Sequence, residues 1–170
     1  HTRVAEMQGL ERLPEPTKDL IFPVIVARPW PNALALARCW ERIEAAFGSR
    51  RYGLTLDPFK RHSGSGRPAA GEFDSLFDPA DGHAAYYAQV QELAFAVPVL
   101  QLVSGEIADL AAQVRHIDTI DRGAILRVEF GNCLNPVQLV SRVRAVLPEV
   151  VVWLDLGWTK DLILREVWAS

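Results

Sequence analysis

Residues 123–130, GAILRVEF, taken together with residues 150–156, VVVWLDL, decide the fold. Side chains alternate between the two faces of a strand, so each run can be split into its faces. In the first, Ala124, Leu126, Val128 and Phe130 oppose Ile125, Arg127 and Glu129. In the second, Val152, Leu154 and Leu156 oppose Val151, Trp153 and Asp155. One face is wholly apolar; the other turns polar toward the C-terminal end of the strand.

Working outward, the same pattern recurs. Residues 52–57 (YGLTLD) place Leu54 and Leu56 against Thr55 and Asp57. Residues 97–103 (VPVLQLV) place Leu100 and Leu102 against Val99, Gln101 and Val103. Residues 22–27 (FPVIVA) form a short β-branched run bounded by prolines and are read as a buried strand. The intervals between these strands carry helical periodicity. Leu36, Trp40, Ile43 and Phe47 make a stripe on a helix predicted over 33–47, capped by Asn32 and stopped by Gly48. A second helix is expected over 84–93. A third is capped by Ser104 and carries Ile107, Leu110, Ala111 and Val114. Asn135 followed by Pro136 opens a fourth, with Val137, Val140, Val143 and Leu147 inward. Thr159 caps a last one, running to about Ala169. Periodicity fades over 58–82, which reads as a long loop with a helical turn near Glu72 to Phe77.

Strand alternating with helix at this spacing implies parallel βαβ units. Two architectures satisfy it, an open doubly wound sheet and a (β/α) barrel. The polar strand ends favour the barrel, whose lumen accepts polar residues near the C-terminal rim. The expected fold is therefore a TIM-barrel-like α/β domain over residues 1–170, partial, with about five parallel strands. A closed barrel needs more strands than five. The chain, which begins at His1 rather than Met, is thus expected to be part of a longer barrel or to be completed by a second copy.

On that rim Asp57, Glu129 and Asp155 would converge, and three carboxylates suit either general acid–base work or a divalent cation such as Mg²⁺. No HExxH or histidine cluster supports a metal; His1, His62, His83 and His116 are scattered. Arg28, Gln101 and Arg127 join the rim as ligand-binding candidates. Arg50, Arg51, Lys60, Arg61, His62 and Arg67 surround the glycine-rich stretch SGSG at 63–66, a composition suited to an anionic group such as phosphate. Lys60 and Arg61 are the candidates drawn from it. The same polar ends can serve structure alone, with Arg127 and Glu129 as an ion pair and Asp57 and Asp155 shaping turns. Neither a Walker A sequence, GxGxxG nor GxSxG occurs.

Composition narrows the classes further. The 170 residues hold 18 Lys+Arg and 21 Asp+Glu, a net charge of −3 that argues against a basic nucleic-acid coat. Nucleic acid has only the loop cations in its favour. An apolar share of 49% can bury a core, and 23% charged residues argue against wholesale disorder. Cys39 and Cys133 are too few for a disulfide scaffold and suit a cytoplasmic protein. No apolar run approaches the ~20 residues of a membrane span.

The runs FPVIVARPWPN, RRYGLTLDPFKR, SGSGRPAA, VPVLQLV, GAILRVEFGN and VVVWLDLGW resemble the beta protein family, most specifically through LDPFKR and WLDLGW. The resemblance spans essentially this whole chain and about the N-terminal half of a family member. It implies a (β/α)-barrel-like fold in bacterial and phage proteins, often from mobile or defence-associated gene neighbourhoods, and implies no reaction. Family members carry a first strand just before a helix resembling residues 2–13; the resemblance implies that this strand, and the units after the fifth strand, are missing from this chain. Two functions are carried forward. One is a rim that binds a small anionic, phosphate- or nucleotide-like ligand. The other is a non-catalytic interaction module for a protein partner in a phage or anti-phage defence assembly, using the 58–82 loop as its contact.

Overall fold

The computed structural model describes residues 2–58, 67–103, 107–129, 133 and 135–155. Helices and strands alternate along the chain, in the order α1 (Val4–Glu11), α2 (Glu15–Lys18), β1 (Val24–Ala27), α3 (Ala37–Phe47), β2 (Tyr52–Leu56) and α4 (Pro68–Ser75). They continue with α5 (Ala84–Glu92), β3 (Ala96–Pro98), α6 (Leu110–Ile120), β4 (Ile125–Glu129), α7 (Pro136–Arg144) and β5 (Val151–Asp155). The fold is α/β, and all strand pairing is parallel.

The strands form two small sheets, β1-β2-β3 and β4-β5, joined by a parallel bridge between Val99 and Ile125. The Leu100 N–H donates to the Ile125 carbonyl at 2.8 Å across that junction. Each strand thus neighbours its sequence successors, without the reversal that marks a doubly wound sheet. The described strands do not close into a barrel.

The two faces divide as alternation predicts. Ile25, Ala27, Leu54, Leu56, Leu100, Leu126 and Val128 point under the helices and belong to the main core with Ile43, Phe47, Phe73, Tyr86, Val90 and Ile117. Burying each large side chain is worth ~1.5–3 kcal/mol. The opposite face carries a smaller apolar cluster of Val97, Val99 and Ile125, with Val24 and Trp153 packed on it. Gly53 lies in that layer. A Cβ on Gly53 would stand 2.6 Å from Ile125 Cδ1 and 3.1 Å from a Val24 methyl. Glycine is required here because a side chain two strands away reaches over β2.

Several local expectations need correction. Helix α3 starts at Ala37 rather than Ala33, and Asn32 does not cap it. Asn32 sits at φ 62° and its side-chain oxygen accepts from Arg67, while Glu72 Oε2 takes the Leu36 N–H at 2.7 Å. The carboxylate of α4 therefore supplies the cap. The expected loop 58–82 contains α4, an eight-residue helix with Pro68 at its start, where a missing N–H costs nothing. The Ser104 cap falls outside the described residues. Helix α6 begins at Leu110, and the Asp109 carboxylate accepts from the Ala112 N–H at 3.1 Å. The Thr159-capped helix also falls outside them. Gly48 ends α3 at φ 67°, and Asn135 with Pro136 opens α7 as expected, Asn135 Oδ1 accepting from the Gln138 N–H at 3.1 Å.

Candidate functional site

The polar residues of the sheet face opposite the main core collect at the C-terminal ends of the strands, beyond the Val97–Val99–Ile125 layer. They fall into two ion-paired groups. On β4 and β5 the register sets Glu129 against Asp155 and Arg127 against Trp153. Arg127 Nε and Nη2 both donate to Asp155 Oδ2, at 3.0 and 2.6 Å. Arg127 Nη2 also stands 2.5 Å from Glu129 Oε1. The guanidinium lies over the Trp153 ring, 4.9 Å from its centroid. Trp153 is flanked on its own face by Val151 and Asp155, so alternation delivers the aromatic platform and the carboxylate to the same arginine. The three charged side chains are 18%, 28% and 22% exposed, which leaves the group open to solvent on one side.

The second group joins β1 and β2. Arg28 Nη2 donates to Asp57 Oδ2 at 2.6 Å, and the Asp57 side chain is 2% exposed. The Asp57 N–H donates to the Ala27 carbonyl at 2.8 Å, continuing the ladder one residue past β2. Thr2 holds the Arg28 backbone: its Oγ1 accepts the Arg28 N–H at 2.9 Å and donates to the Arg28 carbonyl at 3.1 Å. The Thr2 N–H donates to the Val26 carbonyl, so residue 2 binds the free edge of β1. Cys39, buried in α3, hydrogen-bonds Thr2 and the Arg28 backbone. Burial pushes its thiol up to about 11, those two bonds pulling the other way.

Gln101 is in the expected place but in a different role. Its Nε2 donates to the carbonyl of Val99 at 2.7 Å, and the residue is buried. The side chain is folded back on its own strand rather than offered to a ligand. Its backbone is gripped from α6: Gln113 Oε1 accepts the Gln101 N–H at 2.9 Å, and Gln113 Nε2 donates to the Gln101 carbonyl at 3.0 Å. Gln113 was not among the sequence candidates. In sequence it reads as an ordinary polar residue near the helical stripe of Leu110 and Val114.

Two loop cations prove to be elsewhere. Arg50 and Arg51 precede β2 and so lie at the N-terminal end of the strands. Arg50 pairs with Asp19 at 2.6 Å and Glu15 at 2.8 Å, and Arg51 Nη2 donates to the Arg122 carbonyl. Proximity in sequence to Lys60 placed them on the wrong end. Arg67 reaches Asn32 at 2.9 Å, from the loops that follow β2 and β1. Lys60, Arg61 and His62 lie outside the described residues.

The carboxylates do not form one metal-ligand set. Among the described residues no group of three or more His, Cys, Asp or Glu is placed to hold a metal ion. Asp57 lies one residue past β2 and the Glu129–Asp155 pair on β4 and β5, with β3 between them, a separation on the order of 10 Å between the β2 and β4 backbones. No helix among the described residues is long and apolar enough to cross a membrane.

Against known proteins, the family model described as "Beta protein" matches residues 1–166. No curated protein and no solved structure matches the chain.

Proposed function

The chain belongs to the Beta protein family, and from that premise we propose that its strand ends bind a small anionic, phosphate- or nucleotide-like ligand. Membership brings no reaction with it, so the reading rests on geometry. One observation carries it: Arg127 is held in place by Asp155 and Glu129 and backed by Trp153. A guanidinium fixed by carboxylates and an aromatic ring is pre-organised to donate to an oxyanion, so little side-chain entropy is lost on binding.

Charge sets a condition on this reading. Arg28 and Arg127 against Asp57, Glu129 and Asp155 give 2 − 3 = −1, which alone repels an anion. Adding Lys60 and Arg61, which lie outside the described residues, gives 4 − 3 = +1, so this reading needs their charge at the site. In this reading the sheet is an arc of a (β/α) barrel. Its consecutive strand order and the overlap of Ile125 with Gly53 support a concave face. Asp57, Glu129 and Asp155 then supply acid–base groups beside the bound ligand. The free cysteines suit a cytoplasmic protein, and the family resemblance is what suggests a bacterial or phage origin.

The test is a thermal-shift titration with inorganic phosphate, pyrophosphate and nucleoside monophosphates. The wild type is expected to gain stability with at least one, following ~RT ln(1 + [L]/Kd). Arg127→Gln and the double substitution of Lys60 and Arg61 by Gln should each abolish the gain while the protein stays folded. An undiminished gain in Arg127→Gln would overturn the reading.

A second reading has its own observation. Every carboxylate of the group already faces an arginine at 2.6 Å or less, as expected of a rim stabilised for its own sake. The domain then serves as a scaffold, and the loop after β2 contacts a protein partner in a phage or anti-phage defence assembly. Absence of any ligand response, with partner binding lost on deleting residues 59–66, would favour it.

A further inference from the structure

We infer that Gln113 is a positioning residue for the site, acting as a surrogate strand that sets where the end of β3 lies. The inference rests on the anion-binding reading for its functional part and on hydrogen bonding for its structural part.

The β2–β3 register ends at Leu54 with Pro98, and the last bond across it runs from the Val99 N–H to the Leu54 carbonyl at 3.1 Å. Tyr86 of α5 is wedged at that point, its hydroxyl accepting from the Val99 N–H at 2.9 Å and donating to the Leu54 carbonyl at 2.6 Å. Beyond it the chain stays on β4 through Leu100 and needs a new partner at Gln101. Gln113 supplies one. Its primary amide gives one acceptor and one donor to the two backbone groups of Gln101, as a peptide of a neighbouring strand would.

All four of its bonding positions are used. Oε1 accepts from Gln101 N–H and from the Tyr87 hydroxyl at 2.7 Å; Nε2 donates to the carbonyls of Gln101 and Ala108, both at 3.0 Å. The Ala108 bond ties the same amide to the segment leading into α6. Gln113 is fully buried, so each bond lost leaves a buried polar group exposed to no solvent. Its backbone is packed by Gly82, where a Cβ would stand 2.8 Å from the Gln113 nitrogen. Through this one side chain α6 holds both Gln101 and Ala108, on the stretch that follows β3, the strand between β2 and β4.

Gln113→Glu tests the idea because it keeps shape and acceptors but, once ionised, removes both donors. Hydrogen exchange of the wild type, Gln113→Glu and the milder Tyr87→Phe would be compared over 99–103 and over β4, alongside phosphate and pyrophosphate titration. In Gln113→Glu near pH 8, exchange over 99–103 should rise about tenfold or more while β4 stays protected. Burial at this position raises the pKa of the introduced carboxyl, so toward pH 5 it takes up a proton and regains a donor, and the protection factors, corrected for intrinsic exchange at each pH, should return. Tyr87→Phe should loosen 99–103 to a smaller degree. Where the wild type binds the anion, the Kd of Gln113→Glu should be severalfold weaker than that of the wild type near pH 8 and approach the wild-type value measured at the same pH near pH 5.

Unchanged exchange over 99–103 in both variants overturns the surrogate-strand role. So does loosening spread equally over β4, which would make Gln113 an ordinary core residue. Local loosening with an unaltered Kd overturns the link to the site. A wild type that binds neither anion, with the exchange pattern as expected, removes the anion reading and leaves the structural role standing.

Discussion

Gly53 shows how one position is dictated by a residue 72 places away in sequence. A strand interior disfavours glycine, since its backbone loses more entropy on folding than any other. The overlap with Ile125 Cδ1 explains why it is there. Gly53→Ala should destabilise the protein by ~1–3 kcal/mol through overpacking. Ile125→Val deletes the colliding methyl and should recover much of that loss in the double variant. Urea denaturation of the two single variants and the pair measures the coupling; simple additivity would show that the contact does not matter. Arg127 is legible in sequence as a polar residue on a strand face. Its pairing with Glu129 is legible too, two places along the same face, but Asp155 is not, because register between β4 and β5 had to bring that carboxylate across.

At the scale of elements, helix ends are where local chemistry and tertiary contact compete. The start of α7 is local, and its asparagine and proline announce it. Asn135→Ala should cost about 1 kcal/mol in denaturant unfolding, since the Gln138 N–H loses its acceptor. A loss near zero would mean water replaces the cap. The C-terminal end of α5 is a tertiary matter instead. Arg122, 29 to 32 residues away, donates to the carbonyls of Val90, Gln91 and Leu93. Burial lowers the Arg122 pKa, with Arg51 acting in the same sense and Tyr52 against it. Arg122→Ala should destabilise by ~1–3 kcal/mol, well above an ordinary surface substitution, by leaving those carbonyls without their charged donor. Circular dichroism during denaturation would register it. The α3 cap follows the same logic, since Glu72 comes from α4, which the sequence shows only as a helical turn near Glu72 to Phe77.

For the whole molecule, burial of ionisable groups sets the response to alkali. The Cys39 thiol is pushed up to about 11 by burial, and burial likewise raises the pKa values of Tyr52, Tyr86 and Tyr87. Unfolded thiols ionise near ~8.5, so between there and about 11 the native state holds the extra proton. The contribution of Cys39 is therefore complete below the unfolded pKa and is lost as pH rises toward the folded one. Unfolding free energy should fall across that window, and less steeply in Cys39→Ala. A profile of equal slope in the variant would remove the attribution. Thiol labelling offers a second reading of the same burial: Cys39 should react only as fast as the protein opens, a flat low rate that denaturant accelerates. Rapid labelling in native buffer would contradict its placement.

Alternation within strands, helical stripes and the Asn135–Pro136 signal determined the βα order, the two faces of each strand and the polar C-terminal ends. These are local properties, because a side chain's face follows from the parity of its position. Tertiary structure decided which charges meet across strands and between helices and loops. It sent Arg50 and Arg51 to the opposite end from Asp57, turned Gln101 back on its own strand, and enlisted Gln113 in its place. Pairing depends on register between strands and on which helix covers their ends, and neither is encoded in the spacing of residues along one segment.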